Sequence, residues 1–134
     1  MEHNRAELAS LYLRYNRCCN EHRFTTLAEF VHENVEVNGE ARGLAGYIAG
    51  LTSVTDAFPD HRWDLRHLLV DGCWLSARFV DTGTHTGPFL GVAGTGRSVT
   101  INEFATYRIS DGRIAEVWGT ADNVALLEQL TAAA

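Results

Sequence analysis

The 134-residue chain predicts an α+β domain: a cone-like, curved antiparallel β-sheet with N-terminal helices packed over its concave face. Three observations carry this reading. Helical periodicity is confined to the first 58 residues and a short C-terminal stretch, whereas two-residue alternation dominates from residue 61 onward. Asn38-Gly39 and Asp111-Gly112 interrupt alternating runs, the strongest short-range hairpin signal, because a type I′ turn needs φ > 0 at both central residues. Helices first and consecutive strands afterwards put the helices on one face of a sheet.

Taken in order, residues 4–20 form the first predicted helix. Leu8, Leu11, Tyr12, Tyr15, Cys18 and Cys19 share one face, and Glu7, Arg14 and Arg17 face out. A second short helix fits Thr26–Glu33, with Leu27, Phe30 and Val31 inward. Val35–Val37 is a short strand that reverses at Asn38-Gly39. Gly43 opens a third helix, with a stripe of Leu44, Tyr47, Ile48, Leu51, Val54 and Phe58. Gly46 and Gly50 each cost that helix about 1 kcal/mol and imply close contact with the sheet. Pro59 stops it, because the residue before a proline is pushed out of the α region. His61–Val70 alternates with Trp63, Leu65, His67 and Leu69 on one side, and Asp71-Gly72 returns the chain along Cys73–Thr84. The glycine-rich segment Gly83–Gly96 lacks G-x-G-x-x-G and leads into a strand, which argues against a phosphate-cradling loop. Val99–Ile109 and Arg113–Thr120 complete the sheet. Asp122–Leu130 is a short final helix, and Thr131–Ala134 is expected to fray. With no repeat or linker, residues 1–134 read as one domain.

Composition narrows the function classes. The net charge of −6, with 11 scattered Lys and Arg residues, lacks the footprint of a nucleic-acid binder. No stretch approaches the roughly 18 consecutive apolar residues of a membrane span. Glu2, Arg5, Glu7, Arg14 and Arg17 make residues 1–20 unlike a signal peptide. Three cysteines, two of them adjacent, make a poor disulfide framework, so a reduced, cytoplasmic protein is expected. His61 and His67 read as exposed or half-buried sheet residues, and no spacing suggests a metal site.

The Asp111-Gly112 turn predicts a register in which Ile109 faces Ile114, Tyr107 faces Glu116, Ala105 faces Trp118 and Glu103 faces Thr120. Alternation then gathers Glu103, Tyr107, Glu116 and Trp118 on one face, with Asp122 beyond them, and puts Phe104, Thr106, Ala115 and Val117 on the other. Carboxylates, a phenol and an indole are costly to bury unless they line a wet or liganded cavity. Either Glu103 or Glu116 could serve as a base in place of Asp122, or form a structural ion pair with Arg78 or Arg108, the commoner outcome. Asp122 also stands where a helix N-cap would stand.

Four pieces carry a resemblance: Ala57-Phe-Pro-Asp60, Gly83-Thr-His-Thr-Gly-Pro-Phe89, Thr95-Gly-Arg-Ser-Val99, and Arg108-Ile-Ser-Asp-Gly-Arg-Ile-Ala-Glu-Val-Trp118 followed by Asp122. Together they resemble the SnoaL-like polyketide cyclases, within the wider nuclear-transport-factor-2-like fold. The resemblance implies an α+β barrel or cone that self-associates as a homodimer or homotetramer, binds a hydrophobic small molecule and uses no metal or organic cofactor. It implies acid/base, aldol-type ring closure of a polyketide-like substrate. By the Trp-x-x-x-Asp motif the family's aspartate maps onto Asp122. On that reading His85 assists by stabilising an enolate or protonating an alkoxide, Tyr107 donates to a substrate carbonyl, and Trp118, Phe58 and Tyr15 form apolar walls. His85 is equally readable as a loop histidine bonded to its glycine-rich neighbours. Ala93-Gly94 stands where relatives carry proline, which implies a looser loop at the pocket mouth. Two other readings stay open: an epoxide-opening hydrolase or cyclase using Asp122 with Glu103 or Tyr107, and a non-catalytic binding or dimerisation module.

Overall fold

The structure, a computed structural model, describes residues 4–133. Asn4 caps α1 (Arg5–Asn20) by accepting the Glu7 amide at 2.8 Å. A 3₁₀ turn (Phe24–Glu29) leads into β1 (Val31–Val37), so the predicted helix over Thr26–Glu33 is half turn and half strand. The β-branched Val31 and Val35, both fully buried, pack better on a sheet than in a helix. Asn38 and Gly39 both have positive φ, as the Asn-Gly turn requires, and β2 (Glu40–Ala41) follows. Helix α2 (Gly43–Ala57) ends at Phe58, one residue ahead of Pro59. A Cβ on Gly46 would meet only the Arg42 side chain and one on Gly50 would meet nothing, so these glycines do not mark contact with the sheet.

Strands β3 (Arg62–Asp71), β4 (Trp74–Thr84), β5 (Ser98–Ser110) and β6 (Arg113–Ala121) pair antiparallel in sequence, and β1 joins β6 in parallel. The sheet is curved and unclosed, with strand order β2-β1-β6-β5-β4-β3. Helix α1 packs on β3, α2 on β1, and α3 (Asn123–Thr131) on β5. Ala134, the end of the segment expected to fray, lies outside the described residues. The larger core holds α1, the 3₁₀ turn and the inner residues of β1 and β3–β6. A smaller one joins Ala57, Phe58, Val99 and Ile101 to Leu126 and Leu130 of α3.

Two irregularities in the ladders decide which side chains face inward. At the Asp111-Gly112 turn Ile109 faces Ile114 as expected, but Arg108 then faces Glu116, so Ala115 is an extra residue on β6. One extra residue in a strand moves everything beyond it to the opposite face. Tyr107 therefore faces Val117, Ala105 faces Gly119 and Glu103 faces Ala121. Trp118 and Glu116 go to the outer face instead of joining Glu103 and Tyr107. A second shift, between Leu65 and His67 on β3, keeps Trp63 buried but turns His67 and Leu69 outward.

Candidate active site

The concave face and the helices enclose a cavity of about 200 Å³. Its sheet side is formed by Phe79 of β4, Glu103, Ala105 and Tyr107 of β5, and Val117, Gly119 and Ala121 of β6. Helices α1 and α2 contribute Tyr12, Tyr15, Asn16, Cys19, Tyr47 and Leu51. Gly119 is required here, since a Cβ would come within 2.6 Å of the Phe104 carbonyl and 2.9 Å of the Ala105 Cα.

Four phenols stand around this cavity and bond to one another. The Tyr12 hydroxyl donates to Tyr107 at 2.9 Å, and Tyr15 and Tyr47 share a very short hydrogen bond. Burial pushes all four hydroxyls above the usual phenol range, so they stay protonated. Burial also pushes the Cys19 thiol up to about 12, which leaves it unreactive. The Tyr12 hydroxyl is spent on Tyr107, leaving the Tyr107 hydrogen free to donate onward. A polarised phenol pair is a stronger donor than a lone one.

Glu103 and Trp63 line this cavity and also a side chamber of about 50 Å³. The side chamber is walled by Val54, Phe58, Phe89, Val99, Ile101 and Leu126, with His61 and Asp81 as its buried polar members. On β4 the inward series Leu75, Ala77, Phe79 continues to Asp81. Phe79 faces Glu103 and Asp81 faces Ile101, so the two carboxyls are diagonal neighbours on one face. Burial holds the Asp81 carboxyl well above the usual range, and its hydrogen bond to Glu103 and the Glu103 charge act in the same direction. Asp81 is thus a neutral acid that donates to Glu103. Burial lowers His61 to about 4, with His22 adding to the effect, so its imidazole is neutral. Its ring meets Trp63 edge-on at 4.3 Å.

The motif at the end of α2 positions His61. Asp60 accepts the Thr84 amide and hydroxyl, both at 2.7 Å, and the Ala57 carbonyl accepts the amides of Thr86 and Gly87 at 2.9 and 3.1 Å. Ala57–Asp60 and Gly83–Phe89 are therefore two halves of one clasp. The Gly94 backbone presses on the Thr86 carbonyl, where a Cβ would come within 2.2 Å, so this part of the loop is tightly packed rather than loose.

The expected site residues separate into two groups. Tyr15, Tyr107 and Glu103 line the main cavity, and Phe58 lines the side chamber. Asp122 lines neither: it is exposed and accepts the Ala125 amide at 3.0 Å as the N-cap of α3. His85 is fully buried outside both linings. Its Nδ1 accepts the Thr95 amide at 3.2 Å and bonds the Thr95 hydroxyl at 3.0 Å, and Phe58 lies 5.3 Å from its ring. Trp118 is 46% exposed and donates to Glu116 at 3.1 Å, while Glu116 pairs with Arg108. The ion pair with Arg108 holds the Glu116 carboxyl below its usual range. Asp81 was missing from the sequence expectations, and His61 was expected to be exposed or half-buried on the sheet. The signal for Asp81 was its place in the apolar inward series of β4.

The fold and the cavity invite comparison with known proteins. Residues 9–130 match the family model described as SnoaL-like polyketide cyclase. The chain belongs to that family. It is 29% identical, over 112 residues, to the aklanonic acid methyl ester cyclase DnrD of Streptomyces peucetius, covering 78% of this chain and 77% of that protein. Among solved structures, a SnoaL-like polyketide cyclase of Agrobacterium tumefaciens superposes with a TM-score of 0.83 at 34% identity, over 92% of this chain and 97% of that one. TsrD of Streptomyces laurentii gives 0.90 at 28% identity, over 98% and 100%. Among the described residues no helix is long and apolar enough to cross a membrane, and no three His, Cys, Asp or Glu side chains are grouped to hold a metal ion.

Proposed function

We propose that the protein is a cofactor-independent cyclase that closes a ring in a polyketide-like substrate by aldol-type acid/base chemistry, with Glu103 as the base. The observation that carries this is a half-buried carboxyl at the inner wall of a phenol-lined cavity, bonded to a second carboxyl that stays neutral. Glu103 removes a proton from a carbon flanked by two carbonyls, and the enolate oxygen accepts from the Tyr107 hydroxyl. The enolate carbon attacks a third carbonyl elsewhere in the same molecule, and the new alkoxide takes the proton back from Glu103. No atom is gained or lost. A cavity of about 150 Å³ holds a benzene ring. One of 200 Å³ therefore takes the reacting ring of a larger substrate, whose remainder extends past the opening.

The test uses aklanonic acid methyl ester, the substrate named for the 29%-identical relative, as probe. Wild-type protein should give a product of unchanged mass and new ring connectivity, and Glu103→Gln should give none above background. Equal turnover by the two proteins sinks the assignment of Glu103. The neutral acid beside a carboxylate also suits epoxide opening, with Asp81 protonating the oxirane oxygen and Glu103 activating water. A product one water heavier from an epoxide substrate would favour that reaction. We further propose that two copies associate through the outer sheet face, where Phe104 and Trp118 are exposed diagonal neighbours across β5 and β6. In sedimentation, Trp118→Arg should then run as a monomer at concentrations where the wild type is a dimer, and two identical profiles contradict it.

A further inference from the structure

Three buried polar atoms in the side chamber face no hydrogen-bond partner: Nδ1 and Nε2 of His61 and Oδ1 of Asp81. Both side chains are more than nine-tenths buried, His61 at 8% exposure and Asp81 at 2%. Native interiors rarely leave such atoms unpaired, and each one calls for an explanation. The chamber's volume of about 50 Å³ exceeds the roughly 10–15 Å³ that one water needs, so a group of several atoms fits. Glu103, Trp63 and Ala121 belong to both linings, so the chamber lies directly against the main cavity.

We propose that the side chamber is a subsite of the same active site, taking a short uncharged arm of the substrate that ends in a hydroxyl group. The inference rests on the small-molecule reading of the main cavity and adds the substrate feature that the site selects. The proton of Asp81 is engaged by Glu103, so its Oδ1 is left as an acceptor. The neutral imidazole offers one N–H and one lone pair. A hydroxyl donates to Asp81 Oδ1 and accepts from the His61 N–H, satisfying a donor and an acceptor with one oxygen. A carboxylate arm would face the Glu103 charge. An ammonium arm would give up its hydration shell for one carboxylate, Glu103, already engaged by the Asp81 proton. A hydrocarbon arm would suit Ile101 and Leu126 but leave the polar atoms unpaired.

The experiment compares 3-phenyl-1-propanol with butylbenzene, which replaces the hydroxyl by a methyl group, in wild type, His61→Leu and Asp81→Val. Affinities are read from the indole ¹⁵N–¹H signal of Trp63, which stands between the two compartments. The readout is the ratio of alcohol affinity to hydrocarbon affinity, so the intrinsic hydrophobicity of the probes cancels between proteins. The ratio should fall at least fivefold in each variant, and the thermal midpoint of His61→Leu should be no lower than that of wild type at pH 7. An unchanged ratio in a folded variant, or probes that shift Trp63 without any alcohol preference over the variants, overturns the subsite and leaves water as the occupant. No turnover is involved. If Glu103→Gln keeps full activity while the ratio collapses in His61→Leu, the assignment of Glu103 as the base falls and the subsite stands.

Discussion

In the main cavity the buried hydroxyls are paired with one another, whereas in the side chamber a buried imidazole and a carboxyl oxygen stand unpaired. The same sheet face supplies both. The difference lies in the neighbours: α1 and α2 bring Tyr12, Tyr15 and Tyr47 over one end of β5, and α3 brings Asn123 and Leu126 to the other, with no hydroxyl among them. Paired groups fix geometry and donate. Unpaired ones cost stability until something fills the space. On the proposed reading, a compartment that is ready before the substrate arrives adjoins one that gains most of its stabilisation on binding.

The largest expected effect belongs to the junction between them. Glu103→Gln should lower kcat by about 10²–10⁴-fold, the usual contribution of a general base, with KM and thermal midpoint close to wild type. A fall in KM-dependent affinity without loss of kcat would instead make Glu103 a binding group.

The next effects test the unpaired side of the comparison, through stability against pH. His61 is depressed to about 4 in the fold, against about 6.5 unfolded. Between these values the unfolded chain binds more protons, so stability falls as pH drops through the window, by up to about 3 kcal/mol for the whole shift. Asp81 is raised, so above the unfolded carboxylate value of about 4 the folded chain binds more protons, and stability falls as pH rises. The two slopes oppose each other between pH 4 and 6.5, and the single variants separate them. Chemical denaturation of His61→Leu should show stability declining steadily from pH 4 upward. Asp81→Asn should show it rising to about pH 6.5 and then levelling, with a gain of about 1–3 kcal/mol over wild type at pH 8. Parallel curves for wild type and both variants would mean that neither group is as buried as the structure shows.

On the paired side, Tyr107→Phe leaves the Tyr12 hydroxyl without its acceptor. It should cost about 1–2 kcal/mol of stability and, if the phenol meets the enolate, at least tenfold in kcat. A stability loss with unchanged kcat confines the pair to a structural role. The smallest effect lies outside both compartments. Asp122→Ala removes the cap of α3 and should lower stability by about 1 kcal/mol with kcat within twofold of wild type.

Much of this arrangement was legible in the sequence, and the misses have specific causes. The α+β order, the Pro59 stop and the turns at Asn38-Gly39 and Asp111-Gly112 follow from local chemistry, and each is where the periodicity put it. The facing of β6 did not follow, because Ala115 is an extra residue that no turn signal announces. That single insertion exchanged Val117 for Trp118 and carried Glu116 away from Glu103 to Arg108. The shift near Arg66 likewise separated His67, which accepts from Arg78 on the outer face, from the buried His61. Asp81 was readable as a charged residue in an apolar inward series. Its neutrality was not, because that depends on Glu103, 22 positions later and beside it only through the β4–β5 register. The Trp-x-x-x-Asp spacing pointed to Asp122, but motif spacing does not say which way a capping side chain turns.

The most direct test of the central claim is deuterium uptake from D₂O at the acidic carbon of a bound aryl 1,3-diketone, followed by mass spectrometry. Proton abstraction is the first step assigned to Glu103 and needs no knowledge of the natural substrate. Wild type and Asp122→Ala should accelerate exchange equally over background, and Glu103→Gln should not accelerate it. Exchange that survives in Glu103→Gln but disappears in Asp122→Ala would contradict the account and return the base to Asp122.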